Sequence, residues 1–149
     1  MNITLLNAEK TFYEMYGPHF THREFECKCE ACAKKRHQDM APIDWFTSAE
    51  FKSFMEPLMS LRRNLAFPFQ INSGYRCPAY NDSLYDGDGT HLNGPHTKGA
   101  ADIGVSFERA YKLTALAMEW ELGVGIHQRG DVAQRYIHLD NQGPRVWTY

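Results

Sequence analysis

His96, Asp102 and His138 are the side chains whose types and spacing best suit a metal centre. Zinc that acts on a substrate takes three protein ligands from His, Asp and Glu and leaves one position open, where water becomes acidic enough to supply hydroxide near neutral pH. His96 lies in Gly94-Pro95-His96-Thr97-Lys98-Gly99-Ala100-Ala101-Asp102, whose small residues allow a tight turn that sets a loop histidine beside a carboxylate at a strand start. His138 falls in Tyr136-Ile137-His138-Leu139-Asp140, and side chains two apart on a strand share a face, so Tyr136 and Asp140 accompany it. Asp140 can orient His138 by accepting its hydrogen bond, or move protons; His127, just after a glycine turn, is the other candidate for proton transfer. Tyr136 is either a hydrogen-bond donor to an oxyanion or a packed strand residue.

Two further groups carry chemistry. In Ile71-Asn72-Ser73-Gly74-Tyr75-Arg76 a strand runs into a glycine turn that presents Arg76, a guanidinium suited to a substrate carboxylate or a developing oxyanion. Cys27, Cys29 and Cys32 sit in one short segment, and Cys77 directly follows Arg76. In a reducing compartment such a group reads as metal ligands or plain thiols rather than disulfides. Cys77, with His37 also near in sequence, can close a second, structural tetrahedral zinc site that would pin the N-terminal segment against the catalytic loop.

These residues need elements to position them. Thr47-Ser48-Ala49-Glu50 signals a helix start, and Phe51, Phe54, Met55, Leu58, Met59, Leu61 and Leu65 recur as one helix face, with Pro57 expected to kink or divide it. Phe69 to Ser73 alternates like a half-buried strand, and a loop rich in Asn, Asp and Gly follows from Cys77 to about Pro95. Ala101 to Val105 reads as a strand with Asp102 as its one inward polar side chain. Ser106 is expected to cap a second helix, Phe107 to Leu122, stopped by Gly123. Three short strands end the chain: Gly123 to Ile126, Arg135 to Asp140 and Arg145 to Trp147. The segment before about Trp45 has no sustained period and reads as irregular, with short helical pieces. The order of elements predicts an α+β fold in a single domain over residues 1–149: a small antiparallel sheet, two main helices and an irregular N-terminal segment.

Composition narrows the function classes. A chain of 149 residues buries enough surface for one core. A net charge of −2, from 16 basic and 18 acidic residues spread along the chain, gives no cationic field for a nucleic-acid backbone. No stretch approaches the roughly 20 apolar residues of a membrane span, and the opening residues lack the basic start and apolar run of a signal peptide. The expectation is a soluble chain, cytoplasmic as synthesised, with no membrane or nucleic-acid partner, and monomeric.

Taken in order, Ser73-Gly74-Tyr75-Arg76, Pro95 to Ile103, and Gly123-Val124-Gly125 followed by Tyr136 to Asp140 resemble the D-Ala-D-Ala metallopeptidases, which share their fold with the lysostaphin-type peptidases and the hedgehog signalling domain. The resemblance covers about residues 20 to 149, since Phe20-Thr21-His22-Arg23-Glu24-Phe25 looks like the lead-in of phage and prophage members. It implies that His96, Asp102 and His138 ligate zinc, and that Arg76 steadies the scissile carbonyl or a peptide carboxylate. It also implies a peptidoglycan stem peptide as substrate, cut by a D-Ala-D-Ala carboxypeptidase or an endolysin that reaches the wall with a membrane-permeabilising partner. Two departures stand out. The turn from His96 to Asp102 is one residue shorter than the family's, and Ala133, Gln134, Arg135 and Tyr136 fill the positions where relatives carry a proton-transfer Glu, Asp or His. The missing base favours an alternative, a non-catalytic zinc-containing wall-binding or virion module.

Overall fold

A computed structural model describes residues 4–38 and 43–149, with only the backbone for residues 36–38. Helix α1 (Leu5–Tyr16) opens the described chain, then α2 (His22–Phe25) and α3 (Glu30–Gln38). Helix α4 (Ala49–Leu65) leads into β1 (Gln70–Ser73), and the short α5 (Pro78–Ser83) lies in the long loop before β2 (Ala100–Gly104). Helix α6 (Phe107–Glu119) then precedes β3 (Gly123–His127), β4 (Tyr136–Asp140) and β5 (Arg145–Thr148).

The N-terminal third is more regular than its sequence suggests. Helix α1 buries Ala8, Phe12 and Tyr16, one residue per turn, a stripe too narrow to register as a period against exposed Leu6 and Tyr13. Phe12 is the hub of an aromatic cluster, with ring centroids 4.9 Å from Tyr16, 5.4 Å from Phe46 and 5.8 Å from Phe25. The Tyr16 and Phe46 pairs are edge-to-face, a geometry that contributes about 0.5–1.5 kcal/mol each beyond burial. The Tyr16 hydroxyl donates to the Phe46 carbonyl at 2.7 Å, which gives this buried phenol a partner.

Helix α4 starts as expected, with the Ser48 hydroxyl accepting from the Phe51 N–H at 3.2 Å, a cap worth about 1 kcal/mol. Pro57 lies inside the helix without dividing it. Proline removes the N–H that would bond the carbonyl four residues earlier, here Ser53. Asn141, from the turn after β4, supplies the lost donor: its side-chain amide bonds the Ser53 carbonyl at 3.1 Å and the Ser53 hydroxyl at 2.7 Å. In α6 the buried stripe is Ala110, Leu113 and Ala117, while Phe107, Tyr111 and Met118 are exposed. Ser106 stands at the N-cap without a side-chain cap bond, and the helix stops at Glu119, before left-handed Glu121 at φ 59°.

The five strands run in the order β1-β2-β4-β3-β5. All neighbours are antiparallel except β3 and β5, which are parallel, so the sheet is mixed where alternation alone suggested antiparallel. Both edges of β4 are already bonded to β2 and β3, so after the Asn141–Pro144 turn the chain passes to the open outer edge of β3. Strict alternation then sorts the sheet into two faces. Ala101, Ile103, Val124, Ile137 and Leu139 point into the core beneath α4 and α6. Asp102, Tyr136, His138 and Asp140 take the opposite face.

Candidate metal centre

Asp102 and His138 are direct cross-strand partners between β2 and β4, so the register alone brings their side chains together on the polar face. His96 arrives from a single 3₁₀ turn, Pro95–Thr97, that is tied to the glycine turn after β1. The tie is reciprocal: the Arg76 N–H donates to the His96 carbonyl at 2.9 Å, and His96 Nδ1 donates to the Gly74 carbonyl at 2.7 Å. The short turn therefore still closes, with His96 Nε2 3.3 Å and His138 Nδ1 2.9 Å from the same Asp102 oxygen. All three residues are buried, and one donor atom from each lies within 4.8 Å of the others.

The hydrogen bonds fix which ring atoms face that point. A carbonyl can only accept, so His96 carries its proton on Nδ1 and presents the Nε2 lone pair. His138 Nε2 lies 2.8 Å from Asp140 and donates to that carboxylate, leaving the Nδ1 lone pair toward Asp102. Two imidazole lone pairs and a carboxylate oxygen thus converge, an arrangement that repels unless a cation sits among them. A proton on the facing nitrogen is the alternative to a cation: burial opposes charge on His138, yet bonds from the protonated ring to Asp102 and Asp140 outweigh this and raise its pKa. With a proton there, burial likewise pushes Asp102 up, but its bonds with His138 and His96 win and hold it below the usual carboxylate range. Nitrogen and oxygen donors in this number fit zinc.

Supporting contacts hold the donors in place. Asp140 is fully buried and takes bonds from Arg145 Nη1 at 3.0 Å and Nη2 at 2.6 Å, and from the Gln142 N–H at 3.0 Å. Burial raises its pKa, but the His138 bond leads the effects that bring it net below the ordinary value. A Cβ at Gly123 would lie 2.5 Å from Asp140 Oδ1, and one at Gly125 would lie 2.7 Å from the Trp147 ring. The Gly123-Val124-Gly125 run therefore leaves flat backbone for the Arg145–Asp140 pair and for Trp147, which packs on His138 with centroids 5.2 Å apart. Arg76 bonds the second Asp102 oxygen at 3.1 Å, Ser73 at 3.0 Å and Asn81 at 3.4 Å. Those bonds use three of its five N–H donors.

A cleft of about 330 Å³ opens over the three donors. Arg76, Tyr85, Tyr136 and Trp147 line it, together with Asn81 and Tyr149, which sequence reasoning missed. Tyr80 lines a separate hollow that also borders Arg76. His127 pairs across the sheet with Tyr136 and stacks on its ring at 4.8 Å, outside the cleft lining. Asp140 lies behind His138, on the ring edge away from Asp102. Arg145 was also missed, because its partner Asp140 is named only by the parallel pairing of β5. The four cysteines gather elsewhere, at the start of α3 and the turn after Arg76; the His37 side chain is outside the described residues.

An α+β sheet presenting a buried His-Asp-His set at the floor of a cleft defines a metallopeptidase-like centre. Residues 18–140 match the family model described as Peptidase M15, most of the chain. The chain belongs to the peptidase M15 family, the D-Ala-D-Ala metallopeptidases that its motifs resemble, whose members are usually zinc enzymes. No curated protein and no solved structure gives a significant match. None of the described helices is long and apolar enough to cross a membrane.

Proposed function

We propose that this chain is a zinc peptidase that hydrolyses amide bonds in peptidoglycan stem peptides, of the D-Ala-D-Ala carboxypeptidase or endolysin type and of phage or prophage origin. The observation that carries the reading is the convergence of His96 Nε2, His138 Nδ1 and Asp102 Oδ1, each imidazole held by an acceptor on its far nitrogen. Zinc bound there supplies Lewis acidity that acidifies water and polarises a peptide carbonyl. The Gly74 carbonyl and Asp140 fix the imidazole orientations, so the donors need little rearrangement. Arg76 holds Asp102, and its two remaining N–H groups serve a substrate carboxylate or the developing oxyanion. The Tyr136 hydroxyl, also in the cleft lining, is a further donor for the oxyanion. Trp147 and Tyr149 screen the site from bulk water. In a phage setting a membrane-permeabilising partner gives the enzyme access to the wall.

Asp140 acts here as a positioning residue, since its oxygens are engaged behind His138. One observation favours the alternative of a non-catalytic wall-binding or virion module: apart from the three donors, no carboxylate or imidazole is among the described residues lining the cleft. Digestion of purified peptidoglycan separates the two. Hydrolysis releases new amines in wild type and not in His138→Ala; wall binding with intact stem peptides favours the module.

A further inference from the structure

We infer that Cys27, Cys29, Cys32 and Cys77 bind a second zinc ion, whose role is to lock the N-terminal segment to the turn that carries Arg76. The chain brings these four together from distant positions, Cys27 and Cys29 before α3, Cys32 in its first turn and Cys77 just ahead of α5. Their sulfur atoms all lie within 4.8 Å of one another. Around tetrahedral zinc, with Zn–S near 2.3 Å, the edge between two sulfurs is about 3.8 Å. The Cys29 and Cys77 sulfurs are 3.7 Å apart, a contact of that length and far beyond the roughly 2.05 Å of a disulfide.

The backbone is also arranged for thiolates. The Cys32 N–H donates to the Cys29 sulfur at 3.4 Å, and the Cys77 N–H donates to the Cys27 sulfur at 3.3 Å. Cys29 directly precedes α3, where the helix dipole favours negative charge. Four thiolates crowded this closely repel one another, and a soft divalent cation relieves that repulsion. Lys35 lines the same neighbouring hollow as Cys27, Cys32 and Cys77, together with the carboxylates Glu26 and Asp44.

The position gives this ion a structural role at the other centre. Cys77 follows Arg76 directly, and the Tyr75 N–H bonds the Phe25 carbonyl at 2.7 Å. Gly74, whose carbonyl orients His96, lies so close to Phe25 that a Cβ there would come within 2.6 Å of its Cα. Tying Cys77 to Cys27, Cys29 and Cys32 therefore clamps the Ser73–Arg76 turn from both ends. This site is independent of whether the protein cuts peptides.

Elemental analysis of the reduced, full-length protein tests the inference. It should find two zinc ions per chain, one lost in Cys29→Ser/Cys77→Ser and a different one lost in His138→Ala. Cobalt(II) loading of wild type gives a second readout that needs no variant to fold: thiolate-to-cobalt charge-transfer bands in the near ultraviolet and the intense visible bands of a tetrahedral tetrathiolate. Amide exchange at Tyr75 to Cys77 should rise in the cysteine variant. Unchanged zinc content in that variant, iron in place of zinc, thiol counts showing two disulfides, or cobalt spectra without thiolate bands would overturn the proposal.

Discussion

The two histidines of the metal centre reach one point by different routes. His138 stands on β4 in register with Asp102 on β2, so its place is set by a sheet whose other face is the hydrophobic core. His96 stands on a single turn of 3₁₀ helix and is placed by two hydrogen bonds to the Ser73–Arg76 turn. A one-residue slip of β4 would turn His138 into the core and expose Ile137 and Leu139. The His96 turn can shorten by a residue and still deliver its nitrogen, because backbone hydrogen bonds specify it more loosely than strand pairing does. The strand half of the site sets precision, and the loop half adapts to it.

The predictions set these halves against each other. On the strand half, His138→Ala should remove zinc from this centre and reduce hydrolysis to background, read by metal content and amine release. Asp140→Ala, which leaves every donor in place but frees the His138 ring, should weaken zinc binding by about 10–100-fold, measured by chelator competition. Equal zinc affinity in wild type and this variant would mean that the sheet alone orients His138.

Paired glycine substitutions sharpen the contrast. Gly125→Ala forces a methyl against the Trp147 ring, which is backed by His138, and should cost about 1–3 kcal/mol in denaturant unfolding. Gly94→Ala, on the loop half, meets the side-chain amide of Asn81, which can move only by giving up its 2.7 Å bond to the His91 carbonyl, and should cost about 1 kcal/mol. The reverse order would contradict the division into a precise half and an adaptable one. Asn141→Ala has the smallest reach: it strips the donor from the Pro57-freed carbonyl of Ser53 and should cost about 1 kcal/mol without changing zinc content.

The same division explains what could be read from the sequence. The period-two pattern of Tyr136 to Asp140 and the lone carboxylate in Ala101 to Val105 declare their faces, so Asp102 and His138 were legible from alternation. Phe51 to Leu65 declared α4 in the same way. His96 and Arg76 sit in turns, where no period exists; flanking glycines and residue type singled them out, and the resemblance of the combined motifs to a family strengthened that reading. Arg145 and Tyr149 escaped notice because β5 pairs with β3 and not with its sequence neighbour β4, a choice made by which sheet edge is open. Asn81 escaped because its helix is short and lies in a segment that reads as loop. Helix α1 was hidden by a buried stripe of one residue per turn.

Anomalous diffraction at the zinc edge from crystals of the zinc-loaded protein tests the central claim most directly. The account predicts a peak bonded to His96 Nε2, His138 Nδ1 and Asp102 Oδ1, with Asp140 behind His138 and outside the coordination shell. Full zinc loading with no peak among those three atoms, or a peak bonded through His138 Nε2, would contradict it.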